Sequence, residues 1–214
     1  MSNLVSSLPT PDAIMQVKHS LLSNAKRAYE IRLQTGNGGN LSGRVPGTDL
    51  IIIKASGCSF DQCTTENLIT VTLDGEQVDG DGRPSQELAT HLAIYKLRPD
   101  VQGVFHSHSP WAIACASFND TIPTVTLHAK SKLGRIPVLR LPGETTQAKL
   151  AVVEEMLTAD RNLRVLVEDQ HGIFSFASTI ELARYNAELV EETAQIAWSM
   201  AVSGHLASNR EPDA

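Results

Sequence analysis

The chain has 214 residues, with 18 Lys and Arg against 24 Asp and Glu, for a formal net charge of −6. Its length fits one domain able to bury roughly 70% of its unfolded surface without staples. The acidic balance and lack of a Lys/Arg cluster exclude the electrostatic footprint of a nucleic-acid or anionic-lipid binder. Three cysteines, Cys58, Cys63 and Cys115, form no metal-type spacing and no disulfide framework, which fits a reducing compartment. No apolar run reaches the ~18 residues of a membrane span, and the first residues lack the basic and apolar regions of a secretory signal. A cytoplasmic protein is expected, with neither nucleic acid nor membrane as partner.

Thr10-Pro11-Asp12 reads as a helix start: a capping hydroxyl, a proline whose missing N–H costs nothing there, and an acid near the positive helix end. Ile14, Val17, Leu21, Ala25, Ala28 and Ile31 follow at helical spacing, and Gly36-Asn37-Gly38-Gly39 is expected to stop the helix. The β-branched runs Leu50–Ile53 and Ile69–Leu73 read as strands. Ser85 is expected to cap a second helix, with Glu87 in its first turn, that Pro99 ends. Val101–Phe105 and Ile136–Leu141 read as strands, and Thr145 or Thr146 opens a helix through Leu157. Leu163–Val167 and Ile173–Phe176 flank an Asp169-Gln170-His171-Gly172 turn. Ser178 with Glu181 reads as the capping box of a last helix that ends at Gly204. Several strand connections are too short for helical crossovers, so a largely antiparallel sheet covered by helices is expected.

The chemistry-bearing residues gather in a few of these segments. His106-Ser107-His108 follows directly on a buried strand, where residues i and i+2 point to one side. The pair is either two partly exposed histidines at a strand end or two ligands of one metal ion. His171, in its tight turn, offers a third imidazole, and three histidines leave a fourth zinc position open to water or substrate. Glu87 is either a helix-start acid stabilised by the dipole or an acid/base group; His91, one turn on, suits a core or supporting role. Gly38–Ser42, Ala55–Cys58 and Pro84–Gln86 each offer small donors and open backbone N–H groups of the kind that cradle a phosphate, and equally of the kind that make turns.

Four blocks give these segments a family likeness: GGNLSGR (38–44), IIIKASG (51–57), PSQELATHLAIYKLRPD (84–100) with VFHSHSPWAIACA (104–116), and EDQHGIFSFAST (168–179). Together they resemble the class II aldolase/adducin family, which includes fuculose-phosphate aldolase and ribulose-phosphate 4-epimerase. The resemblance implies a three-layer α/β/α fold with a mainly antiparallel central sheet, and a homotetramer with active sites at subunit interfaces. It implies a family domain over 11–204, between an N-terminal extension (1–10) and a flexible C-terminal tail (205–214). It implies zinc, with cobalt or manganese as substitutes, held by His106, His108 and His171. Glu87 is implied as a group that touches the resting metal and serves as acid/base once substrate displaces it. Asn40, Ser56, Gly57 and Ser85 are implied as the phosphate cradle, with Gln86 beside them.

The activity so implied is cleavage of a ketose 1-phosphate, of the fuculose or 5-deoxypentulose type, to dihydroxyacetone phosphate and an aldehyde through a zinc-stabilised enediolate. Dehydration of a methylthioribulose 1-phosphate-type substrate, or decarboxylation of a sugar-acid phosphate, would use the same site. A non-catalytic adducin-like interaction module is the reading of another class, and the full set of histidines with Glu87 argues against it. The tyrosines that fuculose-phosphate aldolases use have no counterpart in the tail after Gly204, so the proton donor to the leaving aldehyde is unassigned; His128 is a candidate for it and equally an ordinary surface or interface histidine. The aspartate that 4-epimerases carry after a His-Ala pair is matched here by Lys130, which counts against epimerisation.

Overall fold

The structure, a computed structural model, describes residues 10–141 and 145–208. Residues 1–9 of the expected N-terminal extension and 209–214 of the expected tail lie outside the described residues. An eight-stranded sheet is built from β1 (Asn40–Arg44), β2 (Leu50–Lys54), β3 (Leu68–Thr72), β4 (Gln77–Asp79), β5 (Gly103–Ser107), β6 (Val138–Leu139), β7 (Val165–Glu168) and β8 (Gly172–Ala177). Its spatial order is β4-β3-β2-β1-β5-β8-β7-β6, antiparallel throughout except for the β6–β7 pair at one edge. Short connections dictate that pattern, because a parallel pairing needs a crossover of a dozen or more residues.

Among the described residues six α-helices complete the fold: α1 (Pro11–Glu30), α2 (Leu88–Leu97), α3 (Pro110–Ala116), α4 (Leu127–Leu133), α5 (Thr146–Ala159) and α6 (Ile180–Ser208). Alternation along the strands sends side chains to opposite faces, and each face has its own core. Ile52, Phe105, Val165 and Ile173 join Leu21, Ala25, Ala183 and Val190 of α1 and α6 on one face. Ile51, Ile53, Val104 and Phe174 join Leu92, Ile94, Val153 and Leu157 of α2 and α5 on the other. The result is the expected three-layer α/β/α arrangement. No helix among the described residues is long and apolar enough to cross a membrane.

Local chemistry placed the starts of α1 and α5 well; Ser85, expected to cap α2, lies two residues before its N-cap position Glu87, and several ends differ too. The Thr10 hydroxyl accepts from Ala13 N, as expected of a cap. The end of α1 comes before the glycine cluster, because Arg32 takes a positive φ of 60°. The N–H groups of Leu33 and Arg32 then bond back to the carbonyls of Ala28 and Tyr29, a closure usually made with glycine. The last helix is capped by Thr179, whose hydroxyl accepts from Leu182 N, rather than by Ser178. It also runs past Gly204 to Ser208. Gly204 lacks the left-handed conformation that would terminate the helix, so the expected tail begins within it. Of Gly38–Ser42, read as a nest of turn residues, Asn40–Ser42 belong to β1 in the interior of the sheet.

Candidate metal centre

The antiparallel register carries the histidines to one place. His106 lies opposite Asn40 of β1 and Phe174 of β8. Its fully buried imidazole stacks on the Phe174 ring, with centroids 4.1 Å apart. His108, two residues on, projects to the same side, and its Nε2 stands 3.1 Å from His106 Nε2. His171 arrives from the β7–β8 turn, where Gln170 takes a positive φ of 59° and Gly172 admits a close approach. A Cβ on Gly172 would sit 2.2 Å from the Ser107 carbonyl oxygen. One ring nitrogen from each of the three histidines lies within 4.8 Å of the other two.

The other ring nitrogens set the tautomers. His106 Nδ1 donates to the Ile173 carbonyl at 2.9 Å, and His171 Nδ1 to Glu168 Oε2 at 2.7 Å. Both hydrogen bonds leave Nε2 with a free lone pair turned into the cluster, as a ligating histidine requires. Burial first, and the neighbouring imidazoles second, hold His106 and His108 below the usual histidine range, so both are neutral at pH 7. Two nitrogens on a tetrahedral zinc are ~3.3 Å apart, given bonds of 2.0–2.1 Å. The 3.1 Å between His106 and His108 is close to that spacing. The donor set therefore fits a divalent ion of the zinc class, with cobalt and manganese also accepting imidazole.

Glu87 sits at the N-cap position of α2, one residue before the helix rather than within its first turn. Its backbone N–H is received by the Ser85 hydroxyl at 3.3 Å. Its Oε1 is 3.8 Å from His171 Nε2, and Lys149 Nζ donates to its two oxygens at 3.2 and 3.0 Å. Lys149 of α5 also bonds Glu168 at 2.8 Å. Burial works to raise the Glu168 carboxyl, but the hydrogen bonds from His171 and Lys149 prevail and hold it below the usual carboxylate range.

A cleft of about 250 Å³ brings the three histidines and Glu87 together with Asn40, Ser56, Gly57, Ser85 and Gln86. The Asn40 side chain is 5% exposed and its Oδ1 has no partner among the described residues. The two serine segments are stitched to each other: Ser56 N bonds the Arg83 carbonyl at 2.9 Å and Ser85 N that of Lys54 at 3.2 Å. Lys54, buried at the end of β2, donates to the carbonyls of Ala55 and Cys58 and so braces the Ser56-Gly57 loop. Gly39 is needed beside it: at φ 65°, its Cβ would meet Gln34 at 2.6 Å and the His106 carbonyl oxygen at 2.9 Å.

Three supporting residues escape a reading of the sequence. Lys149 acts through partners distant in the chain, and no local pattern marks it. Glu168 stands three residues before His171, a spacing that could have marked it. Lys54 had a faint signal, a cation ending an otherwise apolar strand. His128 lies elsewhere, exposed in a second cavity with Lys132 and Arg98, so one chain does not bring it to the histidine cluster. His91 is fully buried behind the site, its Nδ1 2.7 Å from the Ser42 hydroxyl.

The family described as Class II Aldolase and Adducin N-terminal domain matches residues 19–198. The chain is 35% identical over 175 residues to the L-ribulose-5-phosphate 4-epimerase UlaF of Salmonella paratyphi C (strain RKS4594), covering 78% of this chain and 77% of that protein. Among solved structures, an L-fuculose 1-phosphate aldolase matches with a TM-score of 0.79 and 25% identity, over 88% of this chain and 87% of the other. The L-fuculose-1-phosphate aldolase of Thermus thermophilus matches with a TM-score of 0.77 and 23% identity, over 94% of this chain and all of the other, a likeness of fold.

Proposed function

This chain belongs to the class II aldolase and adducin family, and from that premise we propose that it is a metal-dependent aldolase cleaving a ketose 1-phosphate to dihydroxyacetone phosphate and an aldehyde. The observation that supports this reading is the convergence, in one cleft, of three imidazoles, two of them with fixed tautomers, a carboxylate and a set of neutral anion donors. His106, His108 and His171 would hold the metal, and imidazole, an uncharged ligand, would leave its charge undiminished. When bound, a divalent ion supplies Lewis-acid stabilisation of the charge that develops at the substrate carbonyl.

The bond that breaks lies between the carbons α and β to that carbonyl. The hydroxyl on the β carbon gives up its proton to a base as that carbon becomes the aldehyde, and the electron pair of the broken bond stays with the carbonyl fragment. Glu87 then returns a proton to the α carbon, within reach of the cluster as its 3.8 Å approach to His171 indicates. Asn40, Ser56, Gly57, Ser85 and Gln86 bind the phosphate, and the unpartnered Asn40 amide is the natural first donor once its side chain is turned. Binding energy from that remote group positions the reacting carbons.

In this reading residues 11–204 form the family domain, and the enzyme is a homotetramer. Phe118 and Leu127, 76% and 86% exposed in the single chain, suit burial against another copy. A reducing cytoplasm suits the free Cys58, Cys63 and Cys115.

A second reading, epimerisation at C4 of a pentulose 5-phosphate, is favoured by the identity to the Salmonella 4-epimerase. It needs the same bond cleavage, followed by rejoining on the other face of the aldehyde. The test is release of dihydroxyacetone phosphate from a panel of ketose 1-phosphates, beside C4 inversion of L-ribulose 5-phosphate, with and without a chelator reversed by zinc. Zinc-dependent release supports the aldolase. Inversion without release of fragments would replace it with the epimerase.

A further inference from the structure

His106 and His171 each have an Nδ1 partner that turns Nε2 into the cluster, whereas His108 is steadied from a different part of the chain. It is the first residue past β5, beyond the last ladder pair of Ser107 with Ile173, and it is the most exposed of the three histidines. A side chain at a free strand end would have to be ordered by the ion itself, and that ordering is subtracted from affinity. Here the His108 N–H instead donates to Gln34 Oε1 at 2.7 Å. Gln34 is 2% exposed, and its Nε2 donates to the Thr35 carbonyl, so both ends of the buried amide are used. Its own backbone is fixed by the end of α1, where the Leu33 and Gln34 N–H groups bond the Ala28 carbonyl at 2.9 and 3.4 Å. The two segments meet again when the Ser109 hydroxyl donates to the Leu33 carbonyl at 3.1 Å. Gly38 packs against both residues: a Cβ there would lie 2.7 Å from His108 Nδ1 and 3.0 Å from Gln34 Nε2.

We propose that Gln34 is a positioning residue for the metal centre, holding the His108 backbone at the end of β5 and joining it to the wall of the cleft formed by residues 37–40. Asn37, Gly38, Gly39 and Asn40 line the same cleft as the histidines. The amide therefore sets the spacing between one imidazole and the donors on the phosphate side. Buried as it is, Gln34 acts through His108, by reducing the ordering that metal binding demands. The inference rests on the metal reading of the three histidines and holds whether cleavage, epimerisation or another reaction follows.

The test reads zinc and cobalt affinity by competition against a chromophoric chelator, the visible spectrum of the cobalt protein, and the thermal midpoint of the metal-free protein. Gln34→Met fills the volume but cannot receive the His108 N–H; it is expected to bind either ion about tenfold more weakly and to alter the cobalt spectrum. Gln34→Glu keeps an acceptor for that N–H. It is expected to retain the parent spectrum, and affinity within about threefold, even where its midpoint falls. A merely structural amide would lower the midpoint of both variants and leave affinity and spectrum at the parent's values, which would overturn the proposal. So would a Gln34→Glu protein that loses as much affinity as Gln34→Met. Should Gln34→Met fail to fold, Gln34→Asn, one methylene too short to reach His108, takes its place with the same expected loss. A parent protein that binds no stoichiometric metal would overturn the metal reading itself, and the proposal with it.

Discussion

His171 Nδ1 lies 2.7 Å from the Glu168 carboxylate, so the β7–β8 turn folds a metal-facing imidazole back onto an acid three residues before it. The contact fixes the tautomer that presents Nε2 to the cluster and makes that nitrogen a better donor. Glu168→Gln keeps the size of the side chain and removes its charge. Metal affinity should fall about 10- to 100-fold, measured by chelator competition. An unchanged affinity would reduce Glu168 to an ion-pair partner of Lys149.

His106 is the fully buried member of the cluster, and its ring is held by Ile173 behind and Phe174 alongside. His106→Ala should abolish stoichiometric metal and lower turnover by at least about a hundredfold, since two imidazoles hold an ion poorly. Metal analysis of the purified variant beside an activity assay checks both. Retention of metal and activity together would sink the metal-enzyme reading.

His91 gives the metal-free protein a pH dependence of predictable sign. Burial, with a smaller contribution from the charge of Lys149, pushes its pKa down to about 3. An unfolded histidine titrates near ~6.5, so between pH 6.5 and 3 the unfolded chain binds a proton that the folded chain refuses. Stability is therefore present above pH 6.5 and is lost as pH falls, by about 1.4 kcal/mol per unit for this group. His106 and His108, depressed in the same direction, steepen the loss. Urea midpoints of metal-free His91→Asn, taken from pH 6.5 to 5, should show a slope shallower by about one proton. An unaltered slope would mean that His91 accepts a proton in the folded state.

Gly103 joins the sheet to the start of α6. A Cβ there would lie 2.4 Å from Ile180 N and 2.5 Å from Ile180 Cα, both backbone atoms that cannot rotate aside. Gly103→Ala should destabilise by about 3 kcal/mol or more, at the upper end of overpacking costs. Gly204→Ala is the control: within α6, with no left-handed φ and open space around it, it should be neutral or stabilise by about 0.5–1 kcal/mol. Thermal denaturation of the two variants should preserve that order.

What the chain settles locally was legible from its residues. The caps at Thr10 and Thr145, the β-branched runs of β2 and β3, and the histidine pair at a strand end depend on neighbours within a turn or on strand alternation. The family likeness supplied the grouping of Asn40, Ser56, Gly57 and Ser85, which spacing alone left as turns. The short helices α3 and α4 carried no recognised pattern, and β1 looked like loop because its asparagine, serine and glycine lack strand propensity. What makes β1 a strand is the pair of neighbours β2 and β5, whose backbone groups its own must satisfy inside the sheet.

The tertiary structure alone decided the electrostatics of the site. Lys149 is 62 residues from Glu87 in the chain, and no periodicity connects them. They meet because α5 packs on α2 over one face of the sheet, where water is excluded and an unpaired ammonium would be costly. Local sequence specifies torsions and faces, whereas the partner of a buried charge is fixed only when the layers close around it.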